Sequence, residues 1–568
     1  MKKYVLILTV FLIGLVACKE EEQEIAAPVV TFSHEDGIYT VKVGAELLLA
    51  PEIDNDVNAL YTWKMDGKIV GTAKTFAFKS EEEGSYYLSF SVVTDWGTAE
   101  KELRIDVARK VPPVISLAVP EDGYTILLGS ELTLKPEIVS EGETTCLWKI
   151  NGSQAASTVE YVFSASETGE YNVEFMAINA DGESSLSFVI TVCSSEDMPF
   201  SWKFERTEYS MSSGRTIRLL PYAIQNAFDA MYTWTVDGVE EQQSSSPLFA
   251  FTGTERAEPY VVVVTMKNSN MEISQELKVY VYGEEGTYQR KPGAASSEGW
   301  NKVYEFLPAP GQFINEGYTA NTMEEACAYA ENRLKQQAYV SLGGFGGYLV
   351  VGFDHSIEND GDYNIQISGN SFKGSSEPGV VWVMQDENGN GLPDDTWYEL
   401  KGSEYDNPET IQDYEVTYYR PSGIQQSVPW TDNQGNDGFI DYLVAYHRQD
   451  YYYPAWVEED TYTLRGTCLP VRTRETSPGY WSNDEYEWGY ADNFSSIDRL
   501  TDDDNYNAGA NANHFKISNA VTFDRKPANL KYVDFVKIQT GTNVKAGWLG
   551  ESSTEVLDVK DFNLIKNK

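Results

Sequence analysis

Cysteine and histidine are scarce in this chain, whose 568 residues include 5 cysteines and 4 histidines. No two cysteines have CxxC spacing, so the sequence offers no zinc or iron–sulfur motif. His34, His355, His447 and His514 are far apart, and no GxSxG, HExxH or phosphate-loop motif occurs in the chain. The usual signatures of hydrolases, metalloproteases and nucleotide-binding enzymes are therefore missing, and we predict that the protein is not an enzyme.

Basic residues are also few. Lys and Arg together number 43 against 87 Asp and Glu, which gives a formal net charge of −44 at pH 7. A surface of this sign repels nucleic acid phosphates and anionic lipid headgroups, so we exclude both as partners. Beyond residue 17, no apolar run approaches the roughly 18 residues that a membrane-spanning helix needs. We therefore predict no transmembrane helix.

The N-terminus has the pattern of a secretory signal. The basic start Met1–Lys3 precedes an apolar run, Tyr4–Leu15, that is too short to span a bilayer. The ending Leu15–Cys18 resembles a bacterial lipobox, which implies that residues 1–17 are removed and that Cys18 carries acyl chains. Several such chains would make the membrane anchoring effectively permanent. An ordinary cleaved signal with an incidental cysteine is the alternative.

Residues 18–27 are predicted to form an acidic tether. The run Lys19–Glu24 is rich in glutamate and should remain solvated. It resembles the acidic stretch that follows the lipidated cysteine in surface lipoproteins of Bacteroidetes. The resemblance implies a lipid-anchored protein on the outer face of the cell outer membrane.

A unit of about 85 residues occurs three times in the first half of the chain. Three markers keep the same register in every copy: the segments Tyr61–Gly67, Cys146–Gly152 and Tyr232–Gly238, the glycines Gly44, Gly129 and Gly214, and the prolines Pro51, Pro136 and Pro221. Short alternating strands and an Asp-Gly or Asn-Gly turn after each Trp predict a small β-sandwich with the Trp in its core. We place these domains at residues 28–110, 111–194 and 195–283.

The repeats resemble the PKD-like, immunoglobulin-type domains that occur in tandem in Bacteroidetes surface proteins. No catalytic set recurs in them, so we interpret them as a spacer that holds out the rest of the chain. Cys146 and Cys193 fall in one repeat, and the sequence leaves their pairing open. Residues 284–299 are rich in Gly, Ser, Ala and Pro, which predicts a linker.

Residues 300–568 follow a different plan. A capping box at Thr322–Glu325 predicts one helix continuing to Gln337, and the remainder is strand-like. A β-domain of this size is expected to close as a jelly roll, so the whole chain is predicted to be all-β with one short helix. Four parts of this region resemble the C-terminal module of bacterial cell surface proteins: Pro308–Asn315, Ser341–Asp354, Trp488–Asn493, and Val533–Lys537 with Leu549–Glu555. The resemblance implies a secreted, jelly-roll-like binding module and, more loosely, vitamin B12 uptake in gut Bacteroidetes.

The segment 386–395 has the spacing of the first part of a calcium loop. Oxygen donors stand at positions 1, 3, 5, 9 and 10, a glycine at 6 and a main-chain carbonyl at 7. The predicted calcium ligands are Asp386, Asn388, Asn390, Leu392, Asp394 and Asp395. Trp397 occupies the place of the usual bidentate glutamate, and a long Asn-Gly hairpin is the alternative. Residues 432–441 and 354–362 are weaker candidates of the same kind.

Aromatic residues crowd two loops of the same module. Because neighbouring rings cannot all face one core, we expect some of them to be exposed stacking surfaces for a ligand. The predicted ligand-binding residues are Tyr452, Tyr453, Trp456, Tyr480, Trp481, Tyr486, Trp488 and Tyr490. A core with a partly exposed rim is the alternative.

These patterns together predict a surface lipoprotein whose C-terminal module captures a ring-bearing nutrient. The expected ligand is a glycan or a corrinoid, and the expected partner is a TonB-dependent transporter. An adhesin that binds another protein is the first alternative. A glycoside-active enzyme with paired carboxylates is the second, because the separation of two acids cannot be read from sequence.

Overall fold

The computed structural model describes residues 26–566 apart from 121, 196, 228, 269–270, 502–510 and 546–549. The predicted signal, Cys18 and nearly all of the tether lie outside the described residues. Among the residues described, no helix is long and apolar enough to cross a membrane. Across the residues that the structure describes, the prediction of a nearly all-β chain with tandem immunoglobulin-like domains and one α-helix is confirmed.

The three repeats form three β-sandwiches of nine strands each. The first contains β1 (Val29–Thr31), β2 (Ile38–Lys42), β3 (Glu46–Leu49), β4 (Glu52–Asp54), β5 (Leu60–Met65), β6 (Lys68–Gly71), β7 (Phe76–Lys79), β8 (Gly84–Thr94) and β9 (Gly97–Ala108). The second contains β10 (Val114–Ser116), β11 (Tyr124–Leu127), β12 (Glu131–Leu134), β13 (Glu137–Val139), β14 (Thr145–Ile150), β15 (Ser153–Ala156), β16 (Tyr161–Ser164), β17 (Gly169–Asn179) and β18 (Gly182–Cys193). The third contains β19 (Ser201–Lys203), β20 (Glu208–Ser212), β21 (Thr216–Leu219), β22 (Tyr222–Gln225), β23 (Met231–Val236), β24 (Val239–Ser244), β25 (Phe249–Thr252), β26 (Tyr260–Lys267) and β27 (Glu272–Tyr282).

The sheets have the same strand order in all three sandwiches. Each has a five-stranded sheet, β2-β9-β8-β5-β6 in the first, β11-β18-β17-β14-β15 in the second and β20-β27-β26-β23-β24 in the third. The second strand of each repeat (β2, β11 or β20) lies at one edge of this sheet and pairs in parallel with the last strand of the repeat (β9, β18 or β27). The pairs β5-β8 and β8-β9 of the first sandwich and β23-β26 and β26-β27 of the third are antiparallel. Sequence similarity between the repeats therefore corresponds to one shared topology.

Each sandwich is closed around the repeated tryptophan. Trp63, Trp148 and Trp234 are completely buried, and the indole N–H of Trp63 donates to the Ala73 carbonyl at 2.9 Å. Cys146 and Cys193 of the second sandwich are free thiols, so the disulfide that the sequence left open is not formed.

The C-terminal module contains seventeen strands in the part of the chain that the structure describes. They are β28 (Lys302–Leu307), β29 (Val340–Ser341), β30 (Tyr348–Glu358), β31 (Ile365–Ser368), β32 (Gly379–Met384), β33 (Trp397–Leu400), β34 (Ile411–Tyr419), β35 (Val428–Asp432), β36 (Asp437–Ile440), β37 (Thr461–Cys468), β38 (Thr473–Ser477), β39 (Tyr480–Asn483), β40 (Ala512–Phe515), β41 (Ala520–Val521), β42 (Tyr532–Thr540), β43 (Glu555–Val556) and β44 (Asp558–Asp561). Two short 3-10 helices occupy Ile517–Asn519 and Phe562–Leu564.

A six-stranded sheet organises this module, in the order β28-β30-β42-β32-β33-β41. A four-stranded sheet, β36-β35-β34-β37, and a three-stranded sheet, β40-β31-β44, accompany it. The helix α1 (Met323–Lys335) buries Ala326, Ala330 and Leu334 in the main core. Its start is as predicted, because Thr322 Oγ1 accepts the Glu325 amide at 3.2 Å.

The chain divides into two compact units. One holds the first sandwich with the short segments Glu141–Glu143 and Ile178–Glu183, and the other holds the rest of the second sandwich, the third sandwich and the C-terminal module.

Residues 284–299 are not a free linker, which corrects our prediction. Arg290 exchanges main-chain and side-chain hydrogen bonds with Ser356 and pairs with Asp534 at 3.0 Å. These polar contacts fix the connection along the C-terminal module.

Candidate functional site

Most of the rings predicted to stack against a ligand are buried. Tyr452, Tyr453, Trp456, Tyr486 and Tyr490 are each at most 8% exposed. The expected exposure of these five rings is therefore wrong. Tyr452 and Tyr453 pack in one core with Phe345, which lies in a turn, and with Tyr418 on β34. Trp456 packs in the main core of the module. This burial could not be predicted from the sequence, because the residues that cover the rings are distant in the chain.

The remaining predicted rings lie nearer the surface. Tyr480 is 71% exposed and Trp481 is 45% exposed, and both lie on the β38–β39 hairpin. Trp488 is partly buried. A ligand-binding role for these three residues stays a prediction.

The predicted calcium loop folds around its own acceptors. Asp386 accepts the amides of Gly389 at 2.7 Å and Gly391 at 3.0 Å, which bends the chain sharply. The Asn388 amide group donates to Asp394 and Asp395 at 3.1 and 3.2 Å.

Two further predicted ligands complete this loop. Asn390 donates to Asp394 at 2.9 Å, and its side-chain oxygen accepts the Leu392 amide at 2.7 Å. All six predicted ligand residues thus belong to one compact loop, with four side chains linked directly and Leu392 joined through its main chain.

The carboxylates of Asp386 and Asp395 in this loop are buried away from solvent. Burial raises the pKa of Asp395 to about 8, and burial also raises the pKa of Asp386. Bound calcium would supply the positive charge that these carboxylates lack. The donor types fit calcium, which prefers carboxylate, amide and main-chain oxygens. The weaker candidate near residue 432 is an Asx turn, because Asp432 accepts the amides of Gln434 and Asn436.

A second group of acids is buried where three of the resembling segments meet. Oxygen atoms of Glu377, Asp492 and Glu555 lie within 4.8 Å of one another. Burial raises the pKa of Asp492 to about 8 and that of Glu377 to about 7. Ser341 Oγ donates to Glu555 at 3.0 Å. No sequence signal marks this group, because its members are far apart in the chain and match no metal-binding spacing.

The third sandwich is in direct contact with the C-terminal module. Arg215 forms an ion pair with Glu285 at 3.0 Å and also bonds to the Ala528 carbonyl. Arg218 pairs with Asp413 at 2.7 Å. This sandwich therefore does not act as a free spacer, and our prediction is corrected for it.

A cleft of about 770 Å³ lies between the third sandwich and the module. Its walls come from residues 205–220 on one side and from β32, β33, β34, β37 and β42 on the other. Lys537, Trp382 and Glu399 are opposite one another across β42, β32 and β33, so their side chains emerge on the same face of the sheet. That face is the floor of the cleft.

Aromatic rings surround the amine of Lys537 in this cleft. Its Nζ lies 5.1 Å from the ring centre of Trp382 and 5.0 Å from that of Trp397. Burial lowers the pKa of Lys537 to about 8, although nearby Glu205 opposes this shift.

Glu205 is a half-exposed acid that forms an ion pair with Arg465. Burial favours its neutral form, but the charges of Arg465 and Lys537 outweigh burial and lower the pKa of Glu205. The cleft thus combines rings with ionised groups, which suits a polar molecule that contains a ring. No short motif marks it, because its residues come from segments more than 300 positions apart.

Among the comparisons with known proteins, a family model supports the fold of the first two repeats. A family model described as a PKD-like domain matches residues 27–94 and 112–179. Among solved structures, an I-band fragment of titin is 14% identical, with 45% of this chain and 99% of that chain covered and a TM-score of 0.22. Fibronectin(III)-like modules of CbhA from Clostridium thermocellum are 15% identical, with 29% and 95% covered and a TM-score of 0.19. Extracellular domains 3–5 of Drosophila OTK are 13% identical, with 47% and 100% covered and a TM-score of 0.16. No curated protein matches the chain.

Proposed function

We propose that this chain is a non-catalytic lipoprotein, anchored through Cys18 on the outer face of the outer membrane, that captures a ring-bearing ligand. The observation that carries the proposal is the cleft of about 770 Å³ between the third sandwich and the C-terminal module. Its size falls within the roughly 300–1,000 Å³ of typical small-molecule sites. Trp382 and Trp397 supply flat faces beside charged groups, a combination suited to a sugar or a corrinoid.

The ligand would then pass to a TonB-dependent transporter in the same membrane. This step rests on the resemblance of the C-terminal module to those of bacterial cell surface proteins. The third sandwich forms one wall of the cleft.

Calcium belongs to the proposal as a stabiliser of the cleft edge. Arg206 of the third sandwich donates to the main-chain oxygens of Asp394 and Asp395. The same two residues are predicted ligands of the calcium loop. A bound ion would therefore rigidify the loop that holds this edge of the cleft.

An adhesin remains the second candidate, and one observation favours it. Leu60 and Val93 lie opposite each other on β5 and β8 of the first sandwich, and they are 72% and 42% exposed. Neighbouring exposed aliphatic side chains are suited to contact with another protein. In that case the first sandwich would carry the binding surface.

The two candidates are separated by binding assays on the full chain. We expect a panel of polysaccharide hydrolysates and cobalamin to contain a ligand whose binding is weakened about tenfold or more by Trp382→Ala with Trp397→Ala. Trp481→Ala is the matched control, because this exposed ring lies outside the lining of the cleft. Loss of binding in the control but not in the cleft variant would move the site to the β38–β39 hairpin. A panel in which no member binds to the full chain would favour the adhesin.

A further inference from the structure

The charge balance of the cleft differs from that of the chain. Five basic and five acidic residues line the cleft, whereas the whole chain has 43 basic and 87 acidic residues. Basic residues are therefore concentrated there about twofold relative to acids. The cleft is therefore formally close to neutral, and it repels an anion less than the rest of this strongly acidic surface does.

Lys537 is a cleft residue whose amine has no direct polar partner. Within the described part of the chain, this amine has no hydrogen bond and no ion pair; the rings of Tyr348, Trp382 and Trp397 lie beside it, and Glu205 and Glu305 act on it only through longer-range attraction. An ammonium group in a partly enclosed place is costly unless an anion or water compensates it. The geometry leaves that position to something that enters the cleft.

Three other wall residues have a buried donor without a partner. They are the indole N–H of Trp382, the side-chain amide nitrogen of Gln412 and Nη1 of Arg465. Each of these atoms donates and cannot accept. Buried polar atoms are nearly always satisfied, so the wall has a surplus of donors that an oxygen-rich ligand would use after small side-chain shifts.

The principal acids of the wall, by contrast, are already engaged. Glu205 pairs with Arg465, and Asp413 pairs with Arg218. Glu399 accepts the Thr467 hydroxyl at 2.6 Å. These carboxylates are therefore not free to select a cationic ligand.

We propose that the cleft selects ligands that carry an oxyanion on or beside a ring, with Lys537 and Arg465 binding the oxyanion and Trp382 and Trp397 contacting the ring. This inference rests on the proposed function and narrows its ligand class. A carboxylate on a sugar and a phosphate ester on a sugar share this chemistry. The planar guanidinium of an arginine and the flexible amine of a lysine can together bind either a carboxylate or a phosphate.

The test uses calorimetry on the full chain with four probes. Trigalacturonate carries carboxylates, glucose 6-phosphate carries a phosphate, and maltotriose and glucose are their neutral counterparts. We expect at least one acidic probe to bind about tenfold more tightly than its neutral counterpart. The stronger acidic probe identifies carboxylate or phosphate as the natural group.

Variants identify the residue that binds the oxyanion. Lys537→Met retains most of the side-chain volume and should weaken the acidic probe about tenfold without affecting the neutral one. Lys302→Met is the matched control, since Lys302 also lies over a ring, that of Tyr304, but outside the cleft lining. Added salt should weaken only the acidic probe in the unmodified chain, which provides a readout independent of any folding defect in the variant.

Three outcomes overturn the inference. Neutral probes that bind as tightly as acidic ones show that the charge is not selected, and an unchanged affinity in Lys537→Met shows that this amine is not the contact. Failure of both acidic probes to bind also rejects it. The proposed function fails separately, and only if the tryptophan pair variant leaves every ligand in the broader panel unaffected.

Discussion

Glu555 is a residue whose charge the fold disfavours. Burial, followed by the charges of Glu377 and Asp492, raises its pKa well above the ordinary value. The native state thus keeps a proton that the unfolded chain releases once the pH exceeds about 4.3. Stability therefore falls as pH rises from about 4 toward the raised native pKa, by up to about 1.4 kcal/mol per pH unit for each retained proton.

We predict that Glu555→Gln makes the C-terminal module more stable than the unmodified module at pH 8. The new amide can donate to the neighbouring carboxylates, while its oxygen keeps the bond from Ser341. The gain should be about 1 kcal/mol or more at pH 8 and should vanish near pH 4. Urea unfolding across this range, with EDTA present, measures it.

The control for this substitution is Glu458→Gln, which removes an exposed acid. It should leave the pH dependence of the free energy of unfolding unchanged. A parallel loss of stability with pH in Glu555→Gln and in the unmodified chain would show that the acid group does not retain a proton.

In the calcium loop, the residue type that is most stable at position 388 should depend on whether calcium is bound: asparagine without the ion and aspartate with it. Without calcium, the Asn388 amide holds Asp394 and Asp395 together through two hydrogen bonds. A carboxylate at this position cannot donate and adds negative charge beside two acids. With calcium, the same carboxylate is a stronger ligand than an amide.

We therefore predict effects of opposite sign for Asn388→Asp. In EGTA the variant should lose about 1–3 kcal/mol, because donors are lost and like charges meet. In calcium it should gain more stability than the unmodified chain does. Thermal unfolding in the two buffers measures both effects.

Asn433→Asp, in the Asx turn near residue 432, is the control and should show no larger response to calcium than the unmodified chain. A variant destabilised equally in both buffers would exclude calcium from the loop.

The sandwich elements are those that the sequence predicts best, because local geometry fixes them. Asp66 and Gly67 both have positive φ, at 50° and 76°, and similar values of 49° and 79° recur at Asn151 and Gly152. Asp-Gly and Asn-Gly are the pairs that tolerate this backbone in a tight hairpin. The turn residue, the buried Trp and the alternating strands thus point to one structure without information from elsewhere in the chain.

The aromatic loops were harder to predict, because their burial depends on distant segments. The Tyr452 hydroxyl accepts the Leu443 amide and donates to the His447 carbonyl. The Tyr453 hydroxyl donates to Glu459. Because each tyrosine hydroxyl finds a hydrogen-bond partner near it in the chain, the two consecutive tyrosines can be buried together. A sequence pattern based on alternation cannot reveal such local bonds.

At the scale of the whole molecule, the cleft depends on how two domains meet. Its wall combines Glu205 and Arg218 with Trp382, Arg465 and Lys537. Contacts between residues so far apart carry no short-range signal in the sequence. The division into three repeats and a module could be predicted from periodicity, whereas the site formed between the third repeat and the module could not. The sequence therefore predicts a ligand surface on the aromatic loops, whereas the cleft at the domain contact has no signal in the sequence.

The contact between the third sandwich and the module should depend on Arg215. This side chain and its partner Glu285 are mostly buried, at 18% and 15% exposure. Removing one member of such a pair leaves an uncompensated charge, which typically costs about 3–5 kcal/mol. Arg215→Ala should therefore raise hydrogen exchange about tenfold or more at the module segments beside it, around residues 285 and 528, as measured by mass spectrometry on the full chain. Arg256→Ala is the matched control, because Arg256 pairs with Asp237 inside the third sandwich and should leave those segments protected. Unchanged exchange in Arg215→Ala would mean that other contacts hold the cleft together, and ligand affinity should then also be unaffected.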